Sequence, residues 1–337
     1  MLDKLLIPFF VSLSGGNGGE ETPRLAELFA KQPQPLPCAV CGFGNSLSFV
    51  HTLSSDGLRA GRAAVGLRYE QQEIDRYSDD QLLSFAQQDV DAHSYDRRMA
   101  LRLGGYYGIT DTIALGVDLP WVDNVGLREA IPGVSPDVEN NGSQSGLGDA
   151  SLFAQWTFLR DATSGRSASL YAGAKLPTGE THVKSNAGER LEPDHQLGSG
   201  SVNPMLGAAV GQSFGSVMLT ASAMYELATE GTLSSNLGDI VRVNGGLGWS
   251  PEAMKSGSLR WTFLLEAVGE WREKSEIDGA TDVNTGGTQL FAAPGVRATW
   301  NEAWSSYVSL SLPLVEDQNG EQADTDLRLA AGFAILF

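Results

Sequence analysis

The sequence has no hydrophobic run that approaches the roughly 20 apolar residues that a membrane-spanning helix requires. Without such a run, a chain can cross a membrane only as a closed β-barrel, because helices and closed barrels alone satisfy the backbone in lipid. Two cysteines among 337 residues cannot build a disulfide framework. Charged residues make up only 19% of the chain, but their net charge of −18 argues against nucleic acid as a partner.

What the sequence does contain is a repeated alternation of apolar residues with small or charged ones, which is the period of a β-strand. In the last segment, Leu327, Leu329 and Phe333 alternate with Arg328 and Gly332. This order suits a strand with one face in lipid and the other toward a barrel interior. Twelve such segments can be counted, at about 58–71, 94–108, 111–123, 147–159, 166–177, 200–211, 215–228, 239–250, 258–273, 287–300, 303–315 and 326–337.

The connections between these segments alternate in length, with short turns such as 301–302 and longer acidic loops such as 189–194. Outer-membrane barrels have an even number of strands, short periplasmic turns and longer external loops. Aromatic residues also lie near strand ends, where membrane interfaces would be: Tyr69, Tyr107, Trp121, Trp249, Trp271, Trp300 and Trp304. The sequence therefore predicts an all-β fold, a twelve-stranded antiparallel transmembrane β-barrel over 57–337, surrounded by lipid in the outer membrane of a Gram-negative bacterium.

The first 56 residues do not alternate. Residues 1–16, with one lysine and a short apolar run, form a candidate signal peptide, and a buried apolar segment is the alternative. For residues 17–56 the sequence predicts an irregular N-terminal extension that lies on the periplasmic side or enters the barrel mouth as a plug. This extension could also bind a periplasmic partner.

The extension contains the motif Cys38-Ala39-Val40-Cys41. Its two thiols could stay free or form a small disulfide loop in an oxidising periplasm. Alternatively, Cys38 and Cys41 could supply two ligands to a soft metal, with His51 near in sequence. The sequence leaves these alternatives open.

Alternation also places charged residues on the inner face of the predicted barrel: Arg62, Arg68, Arg98, Arg102, Asp118, Lys175, Arg242, Arg260, Glu266, Glu270, Arg297 and Arg328. In an open lumen such charges select solutes by sign. In a narrow barrel they could instead pair across the interior and fill it. The four arginines of the first two strands form the best candidate for an anion-attracting stripe, with Glu266 and Glu270 as its acidic counterpart.

Catalytic signals are weak in this sequence. None of the four histidines (His51, His93, His182 and His195) sits beside a serine in a recognisable nucleophile motif. His182 and His195 share one predicted external loop with Glu180, Glu192 and Asp194, which could bind a divalent cation or remain a solvated acidic loop. We therefore expect no enzyme activity and no cofactor.

The strands also carry short motifs in a characteristic order: Tyr107-Gly108-Ile109-Thr110-Asp111, Leu119-Pro120-Trp121-Val122, Gly146-Leu147-Gly148-Asp149, Gly173-Ala174-Lys175-Leu176-Pro177-Thr178-Gly179 and Gly198-Ser199-Gly200. Over about 58–337 this order resembles the outer-membrane transporter family known as the MetA-pathway of phenol degradation. The resemblance implies a passive, channel-like barrel that is loosely linked to aromatic or hydrophobic substrates.

The expected function is passive passage of small solutes, hydrophobic or aromatic compounds among them, across the outer membrane. The alternative is a non-conducting barrel that acts as an anchor or assembly partner and binds a soft metal or a protein through Cys38 and Cys41. An open lumen would favour the first function, and a lumen filled by paired charges would favour the second.

Overall fold

Twelve long antiparallel strands form one sheet that closes on itself in this computed structural model, which describes residues 49–90, 92–130 and 137–337. Each strand pairs with its neighbours in sequence, and β1 pairs with β12 to close the barrel. The strands are β1 (Ala63–Ile74), β2 (Arg97–Gly108), β3 (Ile113–Glu129), β4 (Ser151–Asp161), β5 (Arg166–Lys175), β6 (Asn203–Phe214), β7 (Val217–Glu226), β8 (Ile240–Trp249), β9 (Leu259–Arg272), β10 (Gly287–Trp300), β11 (Trp304–Gln318) and β12 (Thr325–Leu336). The predicted twelve-stranded barrel is confirmed.

Side chains alternate between the outer and inner faces of the barrel wall. On β1, Val65 and Leu67 on the outer face are each 45% exposed, whereas Arg68 on the inner face is only 5% exposed. On β2, Leu101 and Leu103 point outward and Tyr106 is buried in the interior. A bulky apolar outer surface on a closed barrel is stable in lipid and not in water. The protein is therefore an outer-membrane barrel, as the sequence predicts.

Aromatic side chains lie on the outer surface near both ends of the barrel. Trp249, Trp300 and Trp304 are about half exposed beside the turns at one end, and Trp300 lies directly opposite Trp304 in the sheet. Trp121 and Trp271 are similarly exposed toward the other end. These positions match the two interfacial girdles in which amphipathic rings meet lipid headgroups.

The connections at the two ends differ in length, as predicted, except that the turn 250–258 is longer than the external connection 319–324. One end carries the short turns 109–112, 162–165, 215–216, 250–258 and 301–303. The other end carries the connections 75–96, 130–150, 176–202, 227–239, 273–286 and 319–324. Because outer-membrane barrels keep their short turns on the periplasmic side, the longer connections face outward from the cell.

The first external connection contains an α-helix that is not among the elements predicted from the sequence, α1 (Asp79–Gln87). Ser78 caps its N-terminus and exchanges hydrogen bonds with Gln81, and Leu82 packs on Ala92 and Ala130. Within the described residues, none of the helices has the length and apolar character that a membrane crossing needs.

Short strands extend the external end beyond the barrel wall. The strand Glu139–Leu147 pairs with the half of β3 nearer the external end, which we call its outer half. β4 pairs only with the half nearer the periplasmic end, from Ile113 to Asp118. The other short elements at this end are the strands His93–Ser94, Ser235–Asn236, Glu276–Ile277 and Ala280–Thr281, and the 3-10 helices Pro193–His195 and Thr232–Ser234. The 3-10 helix Glu252–Met254 and the strand Lys255–Ser256 lie in the turn 250–258 at the opposite end.

The lumen as candidate functional site

Residues 49–58, which we call the interior segment, lie inside the barrel ahead of β1. Phe49, Val50 and Thr52 are each at most 1% exposed, although they belong to no strand of the wall. The segment contacts β4 and β5 at one end and β8 to β10 at the other, so it crosses the lumen. Residues 49–56 of the predicted extension therefore lie in the barrel interior.

Contacts with β4 and β5 hold the end of the interior segment that is nearer β1. Asp56 forms an ion pair with Arg160 at the end of β4. The Gly57 N–H donates to Thr157 Oγ1 over 3.0 Å, and the Ser55 and Ser167 hydroxyls lie 2.7 Å apart. The Ser54 carbonyl accepts a hydrogen bond of 2.6 Å from the Tyr171 hydroxyl on β5.

Glu266 on β9 holds the other end of the interior segment. Its carboxylate accepts hydrogen bonds of 2.9 Å from the backbone N–H groups of Val50, His51 and Thr52. The Thr52 hydroxyl donates a fourth bond of 2.8 Å. Glu266 is only 1% exposed, and a buried carboxylate is stable only when hydrogen bonds replace its water. It therefore serves as an anchor for the segment.

Inward-facing glycines make room for the interior segment. A Cβ atom at Gly246 on β8 would lie 2.6 Å from the Phe49 ring, and one at Gly211 on β6 would lie 2.2 Å from Ser55 Oγ. Both distances are well below van der Waals contact, so a larger residue at either position would force the Phe49 ring or the Ser55 hydroxyl to move. The wall and the segment are thus complementary in shape as well as in hydrogen bonding.

Several of the predicted inward charges meet in one group, the β1–β3 cluster of Arg68, Glu70, Arg102 and Asp118. Arg68 lies 2.6 Å from Glu70, and Arg102 lies 3.7 Å from the other oxygen of that carboxylate. Arg102 also pairs with fully buried Asp118. Arg68 donates in addition to the Val50 carbonyl, which joins the cluster to the interior segment.

A second group, the β7–β9 cluster, consists of Glu226, Arg242, Glu270 and Arg272 near the external end of the lumen. Arg242 Nε lies 2.8 Å from Glu270 and its Nη1 lies 3.5 Å from Glu226. Arg272 lies 3.6 Å from the second oxygen of Glu270. Lys175 forms a separate ion pair with Asp149 over 2.8 Å. These charges are therefore paired with charges of opposite sign.

The remaining predicted residues have other surroundings. Arg297 is buried over the Tyr307 ring and donates to the Phe49 carbonyl. Arg328 stacks on Phe291, and Arg260 lies half-buried near the turn 250–258.

The structure brings together only two of the four arginines in the predicted stripe. Arg68 and Arg102 share Glu70, whereas exposed Arg62 and Arg98 lie at opposite ends of the barrel. Cys38, Cys41, the candidate signal peptide 1–16 and residues 17–48 lie outside the described residues.

Comparisons with known proteins agree with the barrel fold. The sequence model of the family described as “Putative MetA-pathway of phenol degradation” matches residues 81–320. An outer membrane channel from Pseudomonas putida F1 superposes with a TM-score of 0.57 at 15% identity, over 86% of this chain and 100% of that chain. This likeness confirms the barrel fold.

Two other solved structures are more distant. The KdgM porin has a TM-score of 0.43 at 9% identity, over 81% of this chain and 99% of that chain. The CymD monoaromatic hydrocarbon channel has a TM-score of 0.39 at 8% identity, over 83% and 89%. No curated protein matches the chain.

Proposed function

This chain belongs to the MetA-pathway of phenol degradation family, and on that premise we propose that it is an outer-membrane channel for small solutes. The observation that carries the proposal is a closed barrel, apolar outside, whose inner face is lined by polar and charged side chains. Such an inner face is solvated in porins and supports passive diffusion. The channel needs no catalytic group.

The substrates we propose are small neutral compounds, including aromatic ones. Inward charges that are paired, as in the β1–β3 and β7–β9 clusters, present a weaker net field to an ion than charges of one sign. A neutral solute pays only a small desolvation free energy when it passes such groups, and it can still form hydrogen bonds with them. The reference to phenol degradation in the family description agrees with this class.

The interior segment restricts the passage in this proposal. It crosses the lumen and is held on several strands, so solutes must pass beside it or wait for it to move. The same observation, together with the paired inward charges, favours a second candidate, a non-conducting barrel that anchors residues ahead of the segment in the periplasm. In that case a soft metal or a protein partner would bind through Cys38 and Cys41.

Planar bilayers separate the two candidates. We expect the purified, refolded full chain to give discrete conductance steps, because water and ions can enter a polar lumen. Proteoliposomes should also swell faster in a neutral aromatic glycoside than in a sulfonated aromatic of similar size. Absence of both conductance and swelling in a folded barrel would contradict the channel and favour the anchor.

Replacing Arg242 with glutamine should make the channel more selective for cations. The change leaves Glu226 and Glu270 with one counter-charge fewer near the external mouth. Two unit charges 4 Å apart interact by about 1 kcal/mol even in bulk water, so the cation-to-anion permeability ratio should rise about fivefold. Reversal potentials in a KCl gradient measure this ratio.

The matched control is Arg166→Gln, which removes the same charge from an exposed position beside the turn 162–165. It should leave the reversal potential unchanged. An equal shift in both variants would mean that the total charge, and not the β7–β9 cluster, sets selectivity.

A further inference from the structure

Three side chains from separate segments meet at the external end of the barrel. His93 follows α1 on the short strand His93–Ser94, Glu129 ends β3, and His195 ends the 3-10 helix Pro193–His195. Their ligand atoms all lie within 4.8 Å of one another. His93 Nε2 is 3.2 Å from Glu129 Oε2, and the two imidazole rings meet edge to face with centroids 4.2 Å apart.

His195 has a buried ring nitrogen that no neighbouring group satisfies. The side chain is 2% exposed, and its Nε2 has no hydrogen-bond partner among the described residues. Leaving such an atom unsatisfied in the interior is unfavourable, which is a reason to expect a ligand there. The other nitrogen, Nδ1, is occupied, because it lies 2.7 Å from the Tyr95 hydroxyl and 3.5 Å from Asp194.

The hydrogen bonding of His195 also suits a ligand. With the proton on Nδ1 donated to the Tyr95 hydroxyl, the lone pair of Nε2 is free. A polar group on the second nitrogen is the usual support of a metal-binding histidine.

We propose that His93, Glu129 and His195 bind a divalent transition-metal ion of the Zn²⁺ type. Two imidazoles and one carboxylate form the donor set that Zn²⁺ accepts, whereas Ca²⁺ and Mg²⁺ prefer oxygen ligands throughout. In a tetrahedral site with bonds of about 2.1 Å, ligand atoms lie about 3.4 Å apart, so small movements complete the site. Water or Glu192, whose Oε2 is 3.8 Å from His93 Nε2, supplies the fourth ligand.

Metal binding fastens three separate parts of the external end together. His93 belongs to the connection 75–96, Glu129 to the outer half of β3, and His195 to the connection 176–202. One ion bridges all three segments and holds the two connections against the rim of the barrel. The site is independent of whether the lumen conducts.

Cobalt binding to the full chain tests the site. The chain is purified in detergent with Cys38→Ser and Cys41→Ser, which removes the thiols as competing ligands. Co²⁺ should bind with one ion per chain and give the visible absorption of a tetrahedral site, and Zn²⁺ should displace it. His93→Gln and His195→Gln should abolish this spectrum, and Tyr95→Phe should weaken binding about 10- to 100-fold.

The matched control is His182→Gln, which removes an exposed histidine from the connection 176–202 that holds His195. It should bind Co²⁺ like the parent chain. A folded barrel changes its gel mobility on heating, so loss of this shift reports a misfolded variant. If His195→Gln misfolds, the Co²⁺ spectrum of His93→Gln tests the proposal. The proposal is overturned if the parent chain gives no Co²⁺ spectrum. It is also overturned if folded His93→Gln keeps the spectrum or if His182→Gln loses it equally.

Discussion

Deleting residues 17–56 raises the single-channel conductance of the barrel severalfold, if the interior segment restricts the lumen as proposed. The deletion removes Phe49 to Asp56 from the interior and leaves the twelve paired strands complete. Water can then replace the hydrogen bonds that the segment made with Glu266 and Tyr171. Planar bilayer recordings of the full chain and the deletion variant, under the same salt, measure the ratio.

A shorter deletion provides the control for this experiment. Removing residues 17–48 takes away the stretch with Cys38 and Cys41 but keeps the interior segment and its contacts on the wall. Its conductance should remain that of the full chain. If the two deletions open the channel equally, the restriction lies ahead of residue 49. If neither changes the conductance, the interior segment does not limit the passage.

The barrel could be predicted from the sequence because a lipid-exposed strand has two chemically different faces. The alternation in Leu327, Leu329 and Phe333 recurs in twelve segments, and each predicted segment overlaps one observed strand. Boundaries were less accurate. β3 continues to Glu129, six residues past its predicted end, because its outer half pairs with Glu139–Leu147. That partner strand contains Asn140-Asn141-Gly142-Ser143-Gln144, which is polar on both faces. Because the strand lies outside the membrane, neither face contacts lipid, and its sequence does not alternate between apolar and polar residues.

The helix α1 is not among the predicted elements, and the path of the interior segment could not be predicted, although entry of the extension into the barrel mouth was one of the two alternatives. The helix α1 has a local signal, since Ser78 and Gln81 have the spacing of a capping box. The path of the interior segment had none. A segment that is buried on all sides shows no periodicity, and glycines such as Gly246 reveal that something packs closely without revealing what it is.

The pairing of the inward charges could not be predicted from the sequence either. Alternation predicts that Arg102 and Glu266 face inward, but their partners depend on strand register and on the interior segment. Arg102 pairs with Asp118 on the neighbouring strand, which a shift of register would separate. Glu266 binds backbone N–H groups more than 200 residues away, from Val50 to Thr52. Every residue except proline has a backbone N–H group, so the sequence does not show which of these groups bind Glu266.

Glu266→Gln should release the interior segment without shortening the chain. The glutamine side chain is almost isosteric, but it is neutral, and its NH₂ group faces backbone donors such as the Val50 N–H. Hydrogen bonds to charged groups contribute about 1.5–3 kcal/mol each, so losing even one makes the undocked state about 10- to 100-fold more populated. Recordings should show frequent transitions to the larger conductance of the 17–56 deletion.

Glu270→Gln is the matched control, because Glu270 lies on the same strand and inner face but bonds to Arg242 and Arg272. It should change ion selectivity without producing those transitions. In the background of the 17–56 deletion, Glu266→Gln should have no further effect on conductance, since its partners are gone. If Glu266→Gln raises the conductance as much there as in the full chain, the residue acts on the barrel wall itself. If the two effects are instead non-additive, as expected, the carboxylate of Glu266 acts through the segment that crosses the lumen.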